Sequence, residues 1–201
     1  MFEFLSRGGV LVYPILGCLV VVAAIFTERM IRFALLRSRG SGLADTVAGL
    51  LKREETDKAR ALAHESRSPM GAVLSRAIDA RDLDREMLES VLVSATDEEV
   101  RKLSAYSQLM ATIGNIAPLL GLLGTVIGLI KAFMVIQEMG GKVNASVLAG
   151  GIWEAMLTTA LGLGVALPTM LAHSYLLARI DRYEARLQQG AITFLQSLSS
   201  R

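Results

Sequence analysis

Three stretches of this chain stay free of charge, or nearly so, for long enough to cross a lipid bilayer, which takes about 20 residues. The first runs from Gly8 to Thr27, between Arg7 and the pair Glu28-Arg29. The second runs from Leu103 to Ile130, its polar start (Ser104, Tyr106, Ser107, Gln108) suited to the headgroups. The third lies between Lys142 and Arg179, with Glu154 as its only formal charge. Composition agrees with crossing helices. Apolar residues make up 52% of the chain, yet aromatics only 5%, and eighteen residues are glycine. Closely packed membrane helices draw on such small residues. A net charge of +2, with no basic run interleaved with aromatics, gives no reason to expect nucleic acid. The single cysteine, Cys18, allows no internal disulfide and reads as a lipid-facing or packing residue.

The chain thus divides into a first transmembrane helix at 1–37, a charged helical region at 38–105 and a second transmembrane helix at 106–137. A short loop follows at 138–147, then a third transmembrane helix at 148–178 and a C-terminal helix at 179–201. Ser68-Pro69 marks a helix break. A helix starting near Leu83 or Asp84 is expected to run unbroken into the second crossing, about 80 Å from Asp84 to Gln137. The third helix is expected to continue past the membrane toward Leu198. Eighteen of the twenty-one Lys and Arg residues fall at 29–102 and 179–201, and only Arg7, Lys131 and Lys142 lie elsewhere. Positive charge collects on the inner side, so the N-terminus and the 138–147 loop read as outside, and the charged region and tail as inside. Arg29, Arg32, Arg37 and Arg39 follow the first apolar run, which argues for an uncleaved anchor over a signal peptide.

The short outer loop makes the second and third crossings an antiparallel hairpin. With Lys142 at its tip, residues equidistant from it share a depth. Thr125 then pairs with Thr159, Pro118 with Ala166 beside Pro168, and Lys131 with Trp153 beside Glu154. The two prolines are expected to kink their helices.

Small residues form one stripe on each helix. Gly114, Pro118, Gly121, Thr125, Gly128 and Ala132 alternate spacings of four and three, and Gly151, Ala155, Thr159, Gly162, Ala166 and Thr169 are likewise spaced by fours and threes. Ordinary close packing accounts for such stripes. The functional alternative is that Gly121, Gly128, Ala155 and Gly162 face a lumen filled by another protein's helix. Thr125 and Thr159 can bond back to their own helices, or form a polar ring that relays a proton or binds a partner's carboxyl group. Glu154 is costly in a membrane and marks an ion path or a partner. Lys131, at nearly its depth, either neutralises it or snorkels to the headgroups.

His173 reads as a polar anchor, Asn115 as a hydrogen bond between helices, and Glu28-Arg29 as an interfacial anchor. The acidic cluster at 79–99 reads as a solvated helix face. No nucleotide loop, metal-ligand spacing or nucleophile constellation occurs, so neither an enzyme nor a cofactor is expected. Three helices without inverted repeats argue against a small-solute transporter. A purely structural scaffold explains the stripes but leaves the level threonines and nearby carboxylate without a purpose.

The run Ala117-Pro118-Leu119-Leu120-Gly121-Leu122-Leu123-Gly124-Thr125-Val126-Ile127-Gly128 resembles the second-helix signature of the MotA/TolQ/ExbB proton channel family. Ile152-Trp153-Glu154-Ala155-Met156-Leu157-Thr158-Thr159-Ala160-Leu161-Gly162-Leu163, ending in Ala166-Leu167-Pro168, resembles its third-helix signature. Three crossings and a large inner loop are closer to ExbB and TolQ than to MotA. The resemblance implies an all-α pentamer in a bacterial inner membrane, N-terminus periplasmic and C-terminus cytoplasmic. It also implies a central pore holding the single helices of an ExbD- or TolR-like dimer, whose aspartate takes protons down the gradient. Residues matching Thr125 and Thr159 would face that pore, and the glutamate matching Glu154 would matter for function. A TonB- or TolA-like protein would carry the work to the outer membrane, for transport or for envelope integrity. Lys131 is a departure from what the family leads one to expect, and a paired Glu154 is a poor proton acceptor.

Overall fold

A computed structural model of the chain describes residues 9–39, 42–139 and 145–199. They form helices α1 (Val12–Arg39), α2 (Leu43–Lys52), α3 (Thr56–Glu65), α4 (Pro69–Asp79), α5 (Arg85–Leu103), α6 (Ser107–Glu138) and α7 (Ala145–Ser199), with no strand among the described residues. Helices α1, α6 and α7 are each long and apolar enough to cross a membrane. The expected loop tip Lys142 and the flanking Arg7 lie outside the described residues. Two compact units emerge: residues up to Thr27 with Tyr106–Tyr175, and Glu28–Ala105 with the chain from Leu176 onward.

In the first unit, α6 and α7 lie in backbone contact. A Cβ on Gly121 would stand 3.0 Å from Thr159 Cα, one on Gly128 2.9 Å from Ala155 Cβ, and one on Gly162 2.6 Å from the Ala117 carbonyl. Gly124 meets the Thr158 side chain more closely still. Only glycine permits this approach, which replaces side-chain volume with dispersion contact between the two backbones. The pairs Gly114–Thr169, Gly124–Thr158, Gly128–Ala155 and Ala132–Gly151 are centred between residues 141 and 142, within a residue of the antiparallel register expected for the hairpin. One expectation fails here. Gly121, Gly128, Ala155 and Gly162 are buried between two helices of the same subunit, so they do not face a lumen. Their free side is filled by the neighbouring helix.

Helix α1 adds Ile15 to a buried cluster with Ala117, Val165 and Ala166, and Cys18 packs at its edge. Many large apolar side chains of this unit stay exposed, among them Leu119, Leu122, Phe133, Leu167 and Leu171. Lipid or neighbouring subunits must cover a surface of that kind. Pro118 and Pro168 lie inside helices that continue past them.

The second unit has its own core. Val47, Leu51, Val73, Leu74, Ile78, Leu88 and Leu92 are buried together with Leu187 and Phe194. Regions 38–105 and 179–201, separate in the sequence reading, therefore share one core. The break at Ser68-Pro69 is built as expected. Proline occupies the first helical position of α4, and Ser68 Oγ accepts the Gly71 N–H at 3.1 Å.

The unbroken helix expected from Asp84 to Gln137 is instead two helices. α5 ends at Leu103, and Tyr106 adopts a left-handed φ of 66° before α6 begins. Its physical cause is a buried cation. Arg29, only 3% exposed, donates from Nη1 to the carbonyls of Lys102 at 3.2 Å and Leu103 at 3.4 Å. These carbonyls, left open at a helix C-terminus, attract positive charge. Ser104 Oγ takes a third, that of Arg101, at 3.1 Å. Arg29, read from the sequence as part of an interfacial anchor, is thus a C-terminal cap for α5.

Candidate functional site

The site lies midway along the α6–α7 contact, where Thr125 and Thr159 place hydroxyls in largely apolar spans. Thr159 on α7 points across the interface, and its Oγ1 donates to the Gly121 carbonyl of α6 at 2.9 Å. The missing side chain at Gly121 exposes that carbonyl to a neighbouring helix. Thr125 turns the other way, donating to the Leu122 carbonyl on its own helix at 2.6 Å. Both threonines are only partly buried, so their hydroxyls lie at the edge of the helix pair. Thr158, which the sequence reading passed over, is 1% exposed and donates to the Glu154 carbonyl at 2.8 Å. Its side chain fills the space left by Gly124. The signal for it was present in the adjacent pair Thr158-Thr159: on a helix two neighbours point 100° apart, so one faces the partner helix and the other the flank.

One to two turns nearer the 138–147 loop, Lys131 Nζ stands 3.1 Å from Glu154 Oε1. The side chains retain 54% and 29% exposure, so the pair sits at a rim and not in a closed core. Gly9, at φ 70° just before α1, lies directly against the Glu154 carboxylate. A side chain there would collide with it. The carboxylate is therefore bounded by all three long helices or their immediate flanks. Asn115, expected to bond between helices, is exposed and makes no such bond among the described residues. Among those residues no group of three or more His, Cys, Asp or Glu is arranged to hold a metal ion.

This arrangement can do two things chemically. The threonine hydroxyls can pass or accept hydrogen bonds along the outside of the α6–α7 pair. Glu154 can hold a cationic partner, Lys131 in this chain, at a rim that water reaches.

Comparison with known proteins accounts for these features together. Residues 65–189 match the model of the MotA/TolQ/ExbB proton channel family. An ExbB-like biopolymer transport protein of Synechocystis is 31% identical over 166 residues, covering 82% of this chain and 79% of the relative. The biopolymer transport protein exbB1 of Vibrio cholerae is 29% identical over 186 residues, covering 90% and 80%. ExbB of Salmonella typhimurium is 29% identical over 199 residues, covering 89% and 77%. The match spans α4 to α6 and most of α7, and so includes every residue of the site except Gly9. The chain is a three-span member of the MotA/TolQ/ExbB proton channel family, similar to its ExbB proteins.

Proposed function

We propose that this chain is the pore-forming subunit of an inner-membrane motor that uses the proton motive force to energise TonB-dependent transport across the outer membrane. Five copies surround the single membrane helices of an ExbD- or TolR-like dimer, and a TonB- or TolA-like protein transmits the work. The observation that carries this reading is the polar level at Thr125 and Thr159, on two helices of a largely apolar hairpin. In this reading Thr125 and Thr159 border the path of the proton. Glu154 sets the charge at the mouth of that path, and Lys131 holds it ready. The glycines and alanines between α6 and α7 keep the two helices at the spacing that puts both hydroxyls on the same level. The relatives named as ExbB biopolymer transport proteins favour a transport role over the envelope-integrity role of TolQ-type subunits. In this reading the N-terminus and 138–147 loop lie in the periplasm and the charged unit in the cytoplasm, the orientation that the distribution of Lys and Arg supports.

Native mass spectrometry of the chain extracted with its partner is expected to give a pentamer carrying that partner. Co-expression of the two in a strain lacking its own energising subunits is expected to restore siderophore uptake. A monomer as the sole species, or a pentamer that restores no uptake, overturns the proposal.

A further inference from the structure

The second unit holds a cavity of about 400 Å³ that the motor reading leaves unused. Its wall brings together Arg32 from α1, His64 from α3, Arg67 from the α3–α4 turn, Arg76 from α4 and Lys102 from α5, with Glu99 as the one lining carboxylate. From this convergence we infer that the cavity binds a phosphate-bearing anion, either the headgroup of an anionic lipid or a free phosphate compound.

The charges of the wall are unequally satisfied. Arg76 and Lys102 already hold Glu98, at 2.5 and 2.8 Å, and Lys102 also holds Glu99 at 2.7 Å. These pairs hold the Arg76, Lys102 and Glu99 side chains of the wall in place. Arg67 and His64 have no ion pair among the described residues, and Arg32 approaches only Glu28, at 3.9 Å. Two guanidinium groups from separate elements thus present donors to the cavity without a strong anionic partner. Planar guanidinium forks match phosphate oxygens, and more than one fork matches an anion with several acceptors better than a single carboxylate. The N-terminus of α4 also borders the cavity through Ser68 and Pro69, adding the positive end of its dipole. The volume lies within the range of small-ligand sites, roughly 300–1,000 Å³.

Leu36 and Leu103 add large apolar side chains to the lining. In the chain, Arg32 and Leu36 closely follow the first uncharged stretch, and Leu103 closely precedes α6. A lipid headgroup with the start of its acyl chains fits that order of cations and apolar side chains. A free phosphate uses the cations alone.

The test uses the full chain in nanodiscs and the variants Arg67→Gln and Arg32→Gln, with Arg85→Gln, on the surface of α5, as control. In one arm, phosphatidylglycerol is added to phosphatidylcholine discs, and the lipid retained by each chain is read by native mass spectrometry. In the other, inorganic phosphate replaces chloride at equal ionic strength in phosphatidylcholine discs, and the shift in melting temperature is read. Losing one charge-assisted bond should weaken binding about tenfold. Selective loss of phosphatidylglycerol in both cavity variants supports the headgroup, and selective loss of the phosphate shift supports the free anion. If either variant folds poorly by circular dichroism, the other carries the comparison, and Arg67→Lys should restore part of the binding. Equal behaviour of wild type, control and cavity variants in both arms overturns the inference.

Discussion

Thr125 and Thr159 set their hydroxyls on adjacent carbonyls of α6, those of Leu122 and Gly121. The Thr125 bond is local and the Thr159 bond joins two helices. Removing them should therefore have unequal effects. Thr159→Val is expected to cost about 0.5–1.5 kcal/mol of stability, the usual net worth of one hydrogen bond. Thr125→Val should change stability by less than about 0.5 kcal/mol, because its carbonyl keeps its place in the helix ladder. Thermal melts of the detergent-extracted protein would distinguish them, and equal losses would contradict the interhelical bond.

Lys131 and Glu154 should behave as a coupled pair. Where water reaches them, coupling is about 0.2–1 kcal/mol. Where lipid or a second subunit covers the rim, losing one partner approaches about 3–5 kcal/mol. A double-mutant cycle with Glu154→Gln and Lys131→Met measures the difference directly. A coupling above about 1 kcal/mol in the assembled protein, absent in the dispersed chain, is the expected result. Additive losses in both forms would mean that the 3.1 Å contact carries no energy.

Glycine spacing gives a sharp contrast within two residues. A Cβ on Gly162 meets the Ala117 carbonyl at 2.6 Å, whereas one on Gly164 meets nothing within 4 Å. Gly162→Ala is expected to force α6 and α7 apart and to cost about 1–3 kcal/mol. Gly164→Ala should be neutral or gain up to about 1 kcal/mol from helix propensity. Melting temperatures of the two variants against wild type provide the check.

Acid stability should report on Glu98. Hydrogen bonds from Arg76 and then Lys102 lower its pKa from 4.5 to about 2. A depressed carboxylate pKa stabilises the fold above the unfolded value and loses that contribution as pH falls through the folded value. The Glu98 contribution is thus complete above about pH 4.5 and fades toward pH 2. Glu98→Gln should flatten the fall in stability over that window and leave the neutral-pH slope unchanged. A mutant with the wild-type acid profile would remove Glu98 from the account.

The spans and the hairpin register were legible because both rest on periodic, local signals. Charge-free length marks the crossings, and a short loop forces the levels of Gly124 and Thr158, or Gly128 and Ala155, to meet. What the small-residue stripes face was not legible. A glycine stripe looks the same whether it meets a helix of its own subunit or one from another, and only the three-dimensional packing assigns Gly121 and Gly162 to the former. The break before α6 was hidden for a different reason. Its cause, Arg29, lies more than seventy residues away in the sequence, and nothing in the local run from Val100 to Met110 requires a helix to stop. The shared core of Leu187 and Phe194 with α2–α5 was equally remote in sequence.

Proton movement through the assembled protein tests the central claim most directly. The chain and its partner, reconstituted together in liposomes with a pH-sensitive dye inside, are expected to dissipate an imposed proton gradient. The double variant Thr125→Val with Thr159→Val should reconstitute as the same oligomer and leave the gradient at the level of empty liposomes, while Thr→Ser at both positions should keep the flux. Wild-type flux through the valine double variant would contradict the account, because the two hydroxyls on α6 carbonyls would then be packing residues and nothing more.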